Sequence, residues 1–273
     1  MARSWTLEDI PWDRLDRSQV NDDFVKIARA AALVEYNASD YADYLCSVFS
    51  DDPEFQEAAR HWAEEEVQHG VALGEYARML DPSFDYNERL AEFRSRVPIQ
   101  VNAEESIRGS RAGELVARCM VEVGTSSFYT AMADATNEPV LEAIARRIAT
   151  DEWQHYGLFY RNLKRYLESE QLPRHRRLMV ALRRIAETED DELACAYHTA
   201  NTPDEPYDRK KALKAYSSRA YPLYHANHVE KAMAMIFKAT GYQPRGLVSR
   251  GLTRAVTGFM QFRAQRRADA PAA

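Results

Sequence analysis

The sequence predicts an all-α protein, and three observations carry that prediction. Glycine and proline are sparse among 273 residues, at 10 and 11, while Ala, Leu, Glu and Arg are plentiful and β-branched alternation is almost absent. Apolar residues recur at helical spacing in stretches bounded by Pro, Asn and Asp. Finally, two stretches, AEEEVQHG over 63–70 and ATDEWQHY over 149–156, share Ala63/Ala149, Glu66/Glu152, Gln68/Gln154 and His69/His155 at an offset of 86 residues. Each carries Glu-x-x-His, a spacing that sets a carboxylate beside an imidazole on one helix face.

Residues 1–20 place Trp5, Ile10, Pro11, Trp12 and Leu15 among charged residues, a lead-in segment that lays aromatics against a helical body. Asn21-Asp22-Asp23 offers an N-cap, and helical spacing then runs from Phe24 to about Ser50 with Glu35 in its middle. Asp51-Asp52-Pro53-Glu54 supplies a stop and a new start, and the second helix, with Glu66 and His69, runs to about Leu80. From Asp81 to Arg111 the pattern weakens around Pro82, Pro98 and Gly109, as in a long crossover between two helical hairpins with some helix of its own. A third helix, Ala112 to about Thr136, embeds Glu122. A fourth starts at Asn137-Glu138-Pro139 and passes Glu152 and His155 to about Glu170. Pro173 to Asn201 and Asp204 to Thr240 read as two further helices. The expected organisation is therefore a lead-in (1–20), a four-helix bundle (21–170), additional packed helices (171–243) and a basic amphipathic tail (244–273). That tail holds Arg245, Arg250, Arg254, Arg263, Arg266 and Arg267, with no acid between Glu230 and Asp269.

Composition narrows the function classes. A net charge of −6 argues against a general nucleic-acid binder. Cys46, Cys119 and Cys195 are odd in number and never form C-x-x-C, which argues against a disulfide framework or a built-in rubredoxin-type centre and for a reducing, cytoplasmic setting. The N-terminal residues lack an apolar signal core, and no stretch approaches the ~20 apolar residues that span a bilayer. The arginine-rich tail is read three ways: a dock for an acidic carrier protein, a peripheral contact with an anionic membrane, or a solvated helix.

Four helices thus offer Glu35, Glu66 with His69, Glu122, and Glu152 with His155. Glu35 to Glu66 spans 31 residues and Glu122 to Glu152 spans 30, so each hairpin repeats one lone Glu and one Glu-x-x-His. That is the ligand composition of a carboxylate-bridged di-iron or di-manganese site in a four-helix bundle. Four carboxylates neutralise and bridge two divalent ions, and imidazoles complete each one while leaving positions open for dioxygen. The run Glu64-Glu65-Glu66 leaves the register ambiguous, Glu64 or Glu65 reading either as an exposed neighbour or as a ligand, and the repeat selects Glu66, since only Glu66 has His three residues on.

The stretch W62-A-E-E-E-V-Q-H-G70 is similar to the Trp-x-Ala-Glu-Glu-x-x-His-Gly run of the soluble acyl-carrier-protein desaturases, and I148-A-T-D-E-W-Q-H155 to their Ile-Ala-x-Asp-Glu-x-x-His run. Over about residues 30–170 the chain resembles this group of the ferritin-like di-iron carboxylate superfamily, to which rubrerythrin-like proteins also belong. The resemblance implies a ferritin-like bundle holding two iron ions, with manganese–iron as a variant. It implies that Thr125, three residues after Glu122, serves dioxygen activation as a proton relay, that Asp151 hydrogen-bonds a ligand, and that Trp5, with Asp9 and Pro11, matches an N-terminal Trp segment. It further implies dioxygen-dependent desaturation or hydroxylation of an acyl-type substrate, free or bound to an acyl carrier protein, with an external electron donor such as a ferredoxin; a homodimer is one assembly compatible with it. The competing expectation is a ferroxidase or peroxide-reducing protein, and a third is a metal-free scaffold.

Other residues read both ways. Thr125 is either relay or helix packing. Tyr36, Tyr41, Phe128, Tyr129, Trp153 and Tyr156 either line a tunnel or pack the core, and Cys119 either lines the cavity or fills space. His225, His228 and Glu230 invite a second metal site, without a partner motif to complete it.

Overall fold

Asn21, Asp52, Asp85, Ser110 and Glu138 each turn a side-chain oxygen onto a backbone N–H of the turn that follows, and five helices begin at those points. Pro53 and Pro139 occupy first-turn positions, where a missing N–H costs nothing. The computed structural model describes residues 5–187, 191–244, 246 and 249–258, and these are all-helical with no strand among them.

The helices are α1 (Asp22–Tyr36), α2 (Ala38–Val48), α3 (Pro53–Leu80), α4 (Tyr86–Arg96), α5 (Arg111–Ala135), α6 (Pro139–Glu170), α7 (Arg174–Glu187), α8 (Asp191–Asn201), α9 (Arg209–Ala220) and α10 (Ala226–Thr240), with further helix over 249–258. Two short 3-10 turns, Leu7–Asp9 and Trp12–Arg14, form the lead-in, and the Asp16 N–H donates to Glu138 at the start of α6. The α1–α2 segment runs antiparallel to α3, and α5 runs antiparallel to α6. α3 also packs on α6, which closes the two hairpins on each other. α4 lies in the crossover, as the weakened pattern there suggests.

The first predicted helix is broken: Asn37, fully buried, takes a turn conformation between α1 and α2. Two contacts bear on that point. Gly70 presses α3 onto α1 so closely that a Cβ would come within 2.9 Å of the Ala32 carbonyl oxygen and the Tyr36 nitrogen. The Tyr86 hydroxyl also donates to the Ala32 carbonyl, a side-chain insertion of the kind that bends helices. Gly70→Ala is therefore expected to destabilise the fold by about 1–3 kcal/mol through overpacking, although alanine favours helix by about 1 kcal/mol. Urea unfolding reads this as a lowered midpoint; an unchanged or raised midpoint would contradict the close approach.

The two C-terminal helices of the sequence reading are four. α7 and α8 separate at a charged run whose residues 188–190 lie outside the described residues. α9 and α10 separate at the 3-10 turn Tyr221–Leu223, where Pro222 supplies no N–H to continue a helix. Of the basic tail, Arg250 and Arg254 are exposed on the helix over 249–258, whereas Arg245, Arg263, Arg266 and Arg267 lie outside the described residues. Among the described residues no helix is long and apolar enough to cross a membrane.

The packing places the functional residues. One apolar cluster takes Ile27 and Leu33 of α1, Leu73 and Tyr76 of α3, Met132 of α5 and Ile144 of α6. A second takes Leu45 of α2, Phe55 and Trp62 of α3, Leu115 of α5 and Phe159 of α6. Along α1–α2, α3 and α6 the sequence passes from one cluster to the other through Glu35, Glu66 with His69, and Glu152 with His155. On α5 Glu122 lies at the same changeover. The bundle thus has two apolar halves with a layer of buried carboxylates between them.

Candidate metal centre

All six sequence-selected side chains converge in that layer, and each is at most 7 % exposed. They form two overlapping sets: Glu35, Glu66, His69 and Glu152, and Glu66, Glu122, Glu152 and His155, with one ligand atom from each residue within 4.8 Å of the others in its set. Glu66 and Glu152 belong to both. The two-fold repeat in the sequence has become a two-fold repeat of sites, with the Glu of each Glu-x-x-His shared and the lone Glu of each hairpin terminal.

The imidazoles are held in matching orientations. His69 Nδ1 faces inward, 3.0 Å from Glu66 and 3.4 Å from Glu152, while its Nε2 lies 3.0 Å from Asp151. His155 Nδ1 faces inward, 3.3 Å from Glu66 and 3.8 Å from Glu122, while its Nε2 lies 2.9 Å from Glu65. Each outer carboxylate fixes ring orientation and tautomer, leaving the inner nitrogen as the ligand atom. The exchange is reciprocal: Asp151, one residue before Glu152, serves the imidazole of α3, and Glu65, one residue before Glu66, serves the imidazole of α6. The sequence reading placed Asp151 in this role and assigned Glu65 none. The signal was the repeat itself, which puts an acid immediately before the Glu in both copies. Glu64, by contrast, is exposed and pairs with His61.

Trp5 donates its indole N–H to Asp151 at 2.5 Å and stacks on His69, ring centroids 5.9 Å apart and nearly parallel. Thr125 donates to Glu152 at 2.5 Å, with backbone carbonyls of Val121 and Glu122 at 3.2 and 3.4 Å. Both sequence-selected residues therefore touch the site. Of the six aromatics, only Tyr129 reaches a ligand side chain: its hydroxyl donates to Glu35. Tyr36 meets Tyr86 edge-on, Tyr41 donates to Glu192, Phe128 packs on Tyr129, Tyr156 donates to the Met235 carbonyl, and Trp153 is 64 % exposed. Cys119 is fully buried in the second apolar cluster, where it packs as a small apolar residue. The second metal site does not form. His228 has both ring nitrogens engaged, one by Asp134 at 3.1 Å and one by the His225 backbone N–H at 3.1 Å, and Glu230 is exposed.

The electrostatics identify what the layer lacks. Burial, reinforced by neighbouring carboxylates, pushes Glu35 and Glu122 well above the usual carboxylate range. Burial opposes ionisation of Glu66 too, yet His155 and His69 hold its carboxyl well below that range. The imidazoles feel the converse: against desolvation, Asp151, Glu152 and Glu66 raise His69, and Glu66 with Glu65 push His155 up to about 10. Both Glu122 oxygens, one Glu152 oxygen and His155 Nδ1 are buried without a hydrogen-bond partner. Unpaired buried acceptors are costly, and four carboxylates with two neutral imidazoles balance two divalent cations in charge and donor type. The residues present fit a metal pair.

His155, its pKa pushed up to about 10 by Glu66 and Glu65, keeps its proton at neutral pH, and a cation must displace that proton to bind. Apparent affinity for ferrous or manganous ion is expected to rise between pH 6 and 8 by about tenfold per unit for each proton released. Titration in weakly buffered solution checks it, and pH-independent affinity without proton release would contradict it.

Comparison with known protein families and with curated proteins finds no match to this chain.

Proposed function

We propose that the chain is a ferritin-like dinuclear metalloenzyme that uses dioxygen and external electrons to desaturate or hydroxylate an acyl-type substrate. The observation that carries the reading is the sharing of Glu66 and Glu152 between two buried donor sets, each completed by one lone Glu and one imidazole. Two iron ions are the proposed occupants, with a manganese–iron pair as the variant, and reduced ions held there would supply the electrons that activate dioxygen. Glu66 and Glu152 would bridge the pair, Glu35 with His69 and Glu122 with His155 would terminate it, and Asp151 and Glu65 would hold the imidazoles in register. Thr125 holds a proton against Glu152 at a half-buried edge of the layer, which supports its role as a relay. In desaturation, one dioxygen takes two hydrogens from a carbon–carbon single bond, with two electrons from the donor and two protons, giving a double bond and two waters. In hydroxylation the same two electrons reduce one oxygen atom to water while the other enters the C–H bond.

The acyl chemistry, the acyl carrier protein and a ferredoxin-type donor rest on the sequence resemblance. The test is oxygen consumption by iron-loaded protein with a reductase–ferredoxin system, with and without acyl thioesters. Substrate-dependent uptake with an unsaturated or hydroxylated product supports the reading. Fast ferrous oxidation or peroxide reduction that acyl thioesters leave unchanged would replace it with the ferroxidase or peroxidase alternative.

A further inference from the structure

α6 and α10 border two clefts of about 560 and 640 Å³ that meet at Trp153, Ala234 and Met235, and none of the six ligand side chains lines either. Arg161, Lys164 and Lys238 line the first, with no carboxylate among its lining residues, on a chain of net charge −6, whereas Arg146 in the second is paired with Glu142 and Asp134.

In the first cleft two lysines face Tyr160. Lys238 Nζ lies 4.8 Å and Lys164 Nζ 5.5 Å from its ring centroid, and Arg161 folds back along α6 over Gly157, where a Cβ would come within 3.3 Å of its guanidinium. No described carboxylate forms an ion pair with Arg161, Lys164 or Lys238. Arg177 of α7 adds to the cluster: its guanidinium lies against Gly241 at the end of α10, its Nε is buried without a partner, and desolvation and the charge of Arg174 both lower its pKa. Like charges held together without counter-ions repel, and an anion relieves that repulsion. Trp153, Tyr156 and Met235 supply an apolar wall, and the volume lies within the range of small-molecule sites. A lone carboxylate satisfies one cation. Three cations lining one cleft beside an exposed indole match a ligand that combines several anionic oxygens with a planar group.

We propose that this cleft binds a small organic polyphosphate of nucleoside-diphosphate type, its phosphoryl groups on Arg161, Lys164 and Lys238 and its planar portion against Trp153. The site is independent of the metal centre and of the reaction assigned to it.

Titration of the full chain with ADP, by calorimetry and by tryptophan emission, tests the proposal. Sub-millimolar binding is expected, with quenching that disappears in Trp153→Phe, competition by inorganic pyrophosphate, and weaker binding of AMP. The double variant Lys164→Ala/Lys238→Ala, with unchanged circular dichroism, is expected to raise Kd at least about tenfold. Should that variant fail to fold, Lys164→Gln alone is expected to raise Kd severalfold and to reduce its salt dependence. No ADP binding at several millimolar, equal Kd in the folded cation variants, or AMP binding as tightly as ADP would overturn the proposal.

Discussion

Glu66→Ala and Glu152→Ala are each expected to empty both metal positions, because each carboxylate belongs to both donor sets. Glu35→Ala and Glu122→Ala are expected to weaken chiefly one position, since each belongs to a single set. Loss of a shared ligand removes a bridge and leaves two divalent ions facing each other with three carboxylates, a deficit that buried geometry cannot make good. Affinity is expected to fall by at least about a thousandfold for both ions, on the order of 4 kcal/mol each. Metal analysis after anaerobic loading and desalting checks it. Retention of a full pair in Glu66→Ala or Glu152→Ala would show that these side chains do not bridge, and equal loss in all four variants would show that the two sets are not distinct.

The second large effect is selective. Asp151→Asn is expected to reduce affinity at the His69 position, and Glu65→Gln at the His155 position, by about 10–100-fold each. Asparagine and glutamine keep the size but lose the charge that holds Nε2–H and leaves Nδ1 facing inward. Because the orienting carboxylate for each imidazole comes from the opposite hairpin, each change is expected to spare the ion beside its own Glu-x-x-His imidazole. Stepwise titration resolves the two affinities; a uniform drop in both, or none, would contradict the reciprocal arrangement. Trp5→Phe is expected to act in the same direction as Asp151→Asn but more weakly, since Asp151 keeps its contact with His69.

Much of the candidate centre was legible in the sequence because its carboxylates and imidazoles sit at fixed helical spacing. Glu-x-x-His places its two groups on one face whatever the tertiary fold, and the 86-residue repeat located the partner copy. The all-helical fold was legible for a similar reason, since N-caps at Asn21, Asp52 and Glu138 mark helix starts locally. What escaped was long-range. The Tyr129 hydroxyl finds Glu35 across 94 residues of sequence, and no local pattern separates it from Phe128 or Tyr156. The interruption at Asn37 falls beside the turn of α1 on which Gly70 and Tyr86 press, tertiary contacts that no local pattern announces. Glu65 lay between two readings because a run of three glutamates hides register. The decisive fact, that each acid before a Glu serves the other hairpin's histidine, depends on how the hairpins face.

The layered core makes the buried charge of the site costly when no cation offsets it. Apolar clusters above and below exclude water from the six side chains, which raises the cost of unpaired carboxylates and sharpens their demand for cations. The same arrangement places Thr125, half-buried and bonded to a shared Glu, at the edge of the layer.

The central claim is tested most directly by metal stoichiometry with spin coupling on the unmodified chain. Protein loaded anaerobically with ferrous iron, desalted, oxidised and examined by Mössbauer and electron paramagnetic resonance spectroscopy is expected to hold two ions per chain as one antiferromagnetically coupled pair. One ion per chain, none, or two uncoupled ions would contradict the shared-carboxylate centre.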